Sequence, residues 1–172
     1  MSACLIISIV ADDRPGLVET LSGCVKQHNG NWLESRMALM AGKFAGIVKV
    51  EVADSQVDAL TSDLKALNES GWTVIVERSD NQSDAESGDT YQLSLVGNDR
   101  PGIVQDVSSR LAAQNVNVLD LSTHYESAAM SAEPLFKTQA KLFVPANIDI
   151  DDLKDSLENI SNDLMVELSA VD

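Results

Sequence analysis

Residues 9–37 read IVADDRPGLVETLSGCVKQHNGNWLESRM and residues 95–123 read LVGNDRPGIVQDVSSRLAAQNVNVLDLST, a gapless match at a constant offset of 95 − 9 = 86. Ten positions are identical, including all of D-R-P-G and the N-x-N-x-L near the end, and the helix positions Leu17, Leu21 and Val25 exchange one apolar residue for another at Ile103, Val107 and Leu111. Self-similarity at a fixed spacing marks a chain built by repetition. Between the copies lies SDNQSDAESGD, residues 79–89, with no apolar side chain beyond Ala85. Such a segment buries too little surface to offset its ordering entropy and reads as a linker. The expected organisation is a module at 1–79, an acidic linker at 80–89 and a module at 90–172. Modules of about 80 residues bury a modest share of their surface. Each is therefore expected to lean on a neighbour, as a homo-oligomer or as a tight intramolecular pair.

The hydropathy pattern is the same in both copies. Leu5–Val10 and Tyr91–Val96 are strand-like and end at the D-R-P-G turn. Apolar residues at Leu17, Val18, Leu21 and Val25, matched by Ile103, Val104, Val107 and Leu111, then recur at helical spacing. Two strand-like runs follow in each copy, Asn31–Met40 and Phe44–Val52 in the first, Asn117–Tyr125 and Leu135–Val144 in the second. A second helix carries Val57, Leu60, Leu64 and Leu67, or Ile150, Leu153, Leu157 and Ile160, on one face. Thr73–Glu77 and Leu164–Leu168 close the modules. With right-handed crossovers, β-α-β-β-α-β gives a four-stranded antiparallel sheet with two helices on one face, an α+β ferredoxin-like fold. Leu5, Ile6 and Ile7 in succession suggest that neither sheet face is solvated.

From Leu60 to Leu153 the offset is 153 − 60 = 93, so about seven residues enter the second copy between Thr123 and Phe143. This longer hairpin, with Ala128, Ala129, Met130 and Leu135, reads as a tolerated loop or as a partner-docking segment at 126–135.

Composition narrows the function. Lys plus Arg number 12 against 27 Asp plus Glu, a net charge of −15, and only 4% of residues are aromatic. That field repels a phosphate backbone, and no basic cluster or stacking platform offsets it, so direct nucleic-acid binding is not expected. The apolar run from Cys4 to Val10 is too short for a signal peptide or a membrane span and runs into Asp12 and Asp13. Two cysteines, Cys4 and Cys24, without CxxC spacing fit a reducing cytoplasm and read as small core residues. No nucleophile elbow, phosphate loop or metal-ligand spacing occurs. His28 reads as a helix-end residue, and the acids Asp149, Asp151 and Asp152 stand where a helix begins. No enzymatic activity, cofactor or metal is expected.

The turn itself suggests a ligand. Pro15 holds Arg14 extended and suits the first helical turn. Gly16 leaves room for a close approach, and the free N–H groups at the helix start favour a carboxylate. Asp13 lies beside them, where it would repel a lone anion but could hold the ammonium of a zwitterion. Asp99, Arg100, Pro101 and Gly102 repeat the arrangement, and Asn31 and Asn117 open the next strand 18 residues beyond each Asp. As a bland alternative, the motif is only a well-made strand-to-helix turn.

D-R-P-G between first strand and first helix, followed by N-x-N, resembles the ACT domain family of amino-acid-sensing modules over essentially the whole chain. The resemblance implies a small amino acid bound where one module's turn meets the neighbouring module's second strand. It places contacts at Asp13 and Asn31, and at Asp99 and Asn117. Serine-sensing members often carry Asn where this chain has Asp13, so the ligand stays open. The acidic two-module architecture further resembles the transcriptional repressors of the glycine cleavage system. That likeness implies glycine as the first ligand to test and a DNA-binding activator protein as partner. The alternative is a detached regulatory subunit of an enzyme of amino-acid or nitrogen metabolism.

Overall fold

The protein is described by a computed structural model that covers residues 1–79, 87–127 and 133–171. It falls into two compact units, Met1–Ser83 and Asp84–Asp172. The first contains β1 (Ser2–Asp12), α1 (Leu17–Gln27), β2 (Asn31–Met40), β3 (Lys43–Ala53), α2 (Val57–Ala66) and β4 (Thr73–Ser79). The second contains β5 (Gly88–Asn98), α3 (Ile103–Ala113), β6 (Asn117–Ser127), β7 (Pro134–Pro145), α4 (Ile150–Glu158) and β8 (Met165–Ala170). Each sheet is antiparallel, in the orders β2-β3-β1-β4 and β6-β7-β5-β8. The repeat thus builds the α+β, βαββαβ module twice.

Alternation explains the core. Leu5, Ile7 and Ile9 of β1 and Val48, Val50 and Val52 of β3 pack on Leu17, Leu21 and Val25 of α1 and on Leu60 and Leu64 of α2. Strand side chains alternate with period two, so these residues share one side of the sheet and both helices cover it. Leu93, Leu95, Leu142 and Val144 do the same beneath α3 and α4. The other face differs between modules. In the first it carries Ile6, with Val10, Ile47 and Ile75 exposed. In the second the positions of Ile6, Ile47 and Ile75 are taken by Gln92, Gln139 and Glu167, while Val96 matches Val10. The second face is thus apolar in the first module and polar in the second, and its apolar residues Val10, Ile47 and Ile75 are exposed.

Helices α1 and α3 stop in the same way. Asn29 and Asn115 take left-handed φ values of 53° and 55°. The N–H groups of Gly30 and Val116 then reach back to Val25 and Leu111, and those of Asn29 and Asn115 to Lys26 and Ala112. This is a Schellman stop with Asn in the place usually given to Gly. The first Asn of each N-x-N is thus accounted for by helix termination. At the β2–β3 hairpin, Ala41 and Gly42 both have positive φ, the two-residue turn that matches strand twist.

Three boundaries differ from expectation. Gly88 and Asp89 belong to β5 rather than to a linker, because β5 pairs with β7 from Gly88↔Pro145 onward; residues 80–86 lie outside the described residues. The last strand runs from Met165 to Ala170, with Leu164 turned into the core just before it. The insertion also divides: Ile7 pairs with Val48 and Leu93 with Ala140, so 140 − 48 = 92 and six of the extra residues enter the β6–β7 hairpin. The seventh falls between β7 and α4. Of that hairpin, Ala128, Ala129 and Met130 lie outside the described residues. Asp149 is spent as a helix cap, its carboxylate accepting from the N–H groups of Asp151 (2.9 Å) and Asp152 (3.2 Å).

Candidate functional site

Both D-R-P-G turns are hooked to the neighbouring hairpin by backbone alone. The Asp13 N–H donates to the Gly42 carbonyl at 3.0 Å, and the Asp99 N–H donates to that of Pro134 at 2.9 Å. Gly16 and Gly102 follow with φ of 90° and 88°, a region that penalises any side chain. A Cβ on Gly16 would meet only Glu19 Oε2 at 3.9 Å, and one on Gly102 nothing within 4 Å. Glycine is required here by the backbone angle, and no other part of the module approaches it closely.

No side chain caps either helix, so the first-turn N–H groups of α1 lack a side-chain acceptor. In α3 the Ile103 N–H turns back to the Arg100 carbonyl at 3.3 Å. The charges around the two turns differ. Arg14 is exposed and has no hydrogen-bond or ion-pair partner among the described residues, and Glu19 stands in the first turn of α1. Arg100 instead donates to Asp106 Oδ2 at 2.6 Å, and Gln105 replaces Glu19. An incoming carboxylate meets less uncompensated negative charge at the second turn. Pro15 and Pro101 are exposed at the bends. Asp13 and Asp99 have exposed side chains beside the helix starts.

Neighbouring acids are already engaged. Asp12 is paired with Lys43, whose hydrogen bond and charge hold its carboxyl below the ordinary carboxylate range. Asp163 accepts from Ser161 and from the Asn98 N–H at 2.7 Å, and these bonds lower its pKa in that order.

Asn31 and Asn117 are exposed at the start of β2 and β6, both edge strands. They pair with Glu51 and Phe143, at the end of the sheet remote from the turns. Neither module brings its own Asp and Asn together. Asn117 instead lines an open polar groove with Ser87, Asn115 and Asn147.

His28 stands at the end of α1 as expected, but its partners were not legible in the sequence. Its Nε2 lies 2.7 Å from Asp63 Oδ2 and its Nδ1 3.2 Å from Gln56 Oε1, tying the end of α1 to α2. The bond to Asp63, then that to Gln56, raises its pKa above the ordinary 6.5. Partners 28 and 35 residues away leave no local signal.

The family profile for the ACT domain matches residues 3–76 and again 89–169. The chain belongs to the ACT domain family. One stretch of 79 residues, 44% of the chain, is 33% identical to a UPF0237 protein from Methanocaldococcus jannaschii, and it spans 88% of that relative. Over 100% of both chains the fold matches a protein of unknown function from Galdieria sulphuraria, with a TM-score of 0.87 and 24% identity. It also matches a candidate glycine cleavage system transcriptional repressor over 99% of this chain and 98% of that one, with a TM-score of 0.69 and 17% identity. Among the described residues no helix is long and apolar enough to cross a membrane, and no group of three or more His, Cys, Asp or Glu could hold a metal ion.

Proposed function

We propose that this ACT protein is a non-enzymatic, amino-acid-responsive regulator in the cytoplasm. It represses the glycine cleavage system through a DNA-binding activator protein rather than by contacting DNA. The observation that carries this reading is the doubled turn, in which two uncapped helix starts are each preceded by an exposed carboxylate and held by the same backbone hook. In each turn the ligand carboxylate meets the first-turn N–H groups after Arg14-Pro15-Gly16 or Arg100-Pro101-Gly102. The ammonium meets Asp13 or Asp99. Asn31 and Asn117, exposed at the starts of β2 and β6, are the further candidate contacts.

Glycine is the first ligand on the strength of the full-length fold likeness to the candidate glycine cleavage repressor. The net charge of −15 supports action through a protein. The test is co-purification from cells grown with and without glycine. A DNA-binding activator retained in a glycine-dependent manner, and lost with Asp13→Ala plus Asp99→Ala, supports the reading. Capture of an amino-acid or nitrogen enzyme in its place would make the chain a detached regulatory subunit, and pairing unchanged in every ligand state would defeat the coupling.

A further inference from the structure

We infer that the second module has a separate ligand site beneath α3, shaped for a small uncharged aliphatic molecule with a single hydrogen-bonding atom. A cavity of about 40 Å³ lies between α3 and the sheet, walled by Val104, Val107, Leu111, Val118, Leu121 and Phe136. One side opens between α3 and β6, where Val104, Val118 and Leu121 are 47%, 38% and 51% exposed. Thr138 lines it from β7 and is 4% exposed. Its Oγ1 is buried without a hydrogen-bond partner among the described residues.

A buried hydroxyl left unpaired is destabilising and rare enough to call for a partner. Ser108 is out of hydrogen-bond reach of Thr138 Oγ1, and its own hydroxyl donates to the Val104 carbonyl at 2.8 Å. Thr123, opposite Thr138 in the β6–β7 ladder, is the only other side-chain hydroxyl lining the space. A water there would find one or two protein partners, where buried waters typically make about three hydrogen bonds. The volume also exceeds the ~10–15 Å³ that one water requires. A charged group would face only neutral hydroxyls in apolar surroundings and is disfavoured. What fits is a short branched hydrocarbon body with one neutral donor or acceptor against Thr138, the class of small alcohols and ketones.

The first module fills the same place. By register, Trp32, Met37 and Gly46 stand where Val118, Thr123 and Thr138 stand. Trp32 and Met37 pack on the core, and a Cβ on Gly46 would lie 2.6 Å from Met37 Cγ. The site therefore belongs to one module only. It uses none of the D-R-P-G residues and stands or falls apart from the amino-acid reading.

The test titrates the full chain, with labelled Ile, Leu and Val methyl groups, with isobutanol and separately with glycine, followed by NMR. Isobutanol should give saturable millimolar shifts at Val104, Val107 and Leu121 and none at Val18, Leu21 or Val25. Glycine should leave those cavity methyls unmoved. Val118→Trp, copying Trp32, should abolish the isobutanol shifts. Thr138→Val, which keeps the shape and so tests the idea even if Val118→Trp fails to fold, should weaken isobutanol about fivefold while leaving xenon binding unchanged. No saturable shift in the parent protein, equal affinity in Thr138→Val, or shifts persisting in folded Val118→Trp would each overturn the proposal.

Discussion

Asp13 and Asn31 stand at opposite ends of one sheet. Asp12 pairs with Lys43 while Asn31 pairs with Glu51, 51 − 43 = 8 residues along β3. At a strand rise near 3.3 Å per residue that is roughly 26 Å along the sheet. An amino acid cannot bridge them within a module. Asp99→Ala and Asn31→Ala should each weaken glycine binding about 10- to 100-fold, the worth of a hydrogen bond to a charged group. Calorimetry on the single and double variants checks this. Residues completing the same site should couple in a double-mutant cycle, and residues of different sites should add.

His28 predicts a pH-dependent stability. Both ring nitrogens face oxygens, at 2.7 Å and 3.2 Å, an arrangement that suits the protonated ring. Because the folded pKa is raised above 6.5, the stabilisation is fully present below 6.5 and is lost as pH rises through the folded value. The urea midpoint should therefore fall across that window in the parent protein and fall less in Asp63→Asn. Parallel pH profiles for the two would contradict the assignment.

The two Asn stops should tell backbone from side chain. Asn29→Ala places Ala at φ 53° and should cost about 1–2 kcal/mol. Asn29→Gly should be neutral or slightly stabilising, since Gly accepts that angle freely. Asn115 should behave alike. Urea denaturation of the four variants reads the difference.

Gly46, half-buried in β3, has the least room of the glycines for an added methyl. A Cβ there would lie 2.2 Å from the Arg36 carbonyl oxygen, a backbone atom. Gly46→Ala should destabilise the chain by about 1–3 kcal/mol, whereas Thr138→Val, at the matching site, should be neutral or stabilising because it removes an unpaired hydroxyl. Thermal melts of both compare them directly.

Much of this was legible in the sequence because it is carried by neighbours along the chain. The offset of 86 fixes both modules, and strand-like runs alternating with helical spacing such as Leu17, Leu21 and Val25 give the βαββαβ order. Leu5, Ile6 and Ile7, by contrast, fill both parities and leave the covered side of the sheet unread. The turns were equally local. What sequence could not show depends on partners far along the chain or on relative side-chain size. The reason for Gly16 is a dihedral angle, and His28 finds Gln56 and Asp63 only after the chain has turned back. The space beside Thr138 follows from Val118 and Thr123 being smaller than Trp32 and Met37, a difference that means nothing until β6 and β7 are in register. The placement of Asp13 and Asn31 at opposite ends required the strand order itself.

The most direct test of the central claim is calorimetry of the purified full chain with glycine, beside serine and related small amino acids. The account predicts a saturable heat with a matching rise in melting temperature, both lost in Asp13→Ala plus Asp99→Ala. Absence of heat and of any thermal shift across the whole set would contradict it.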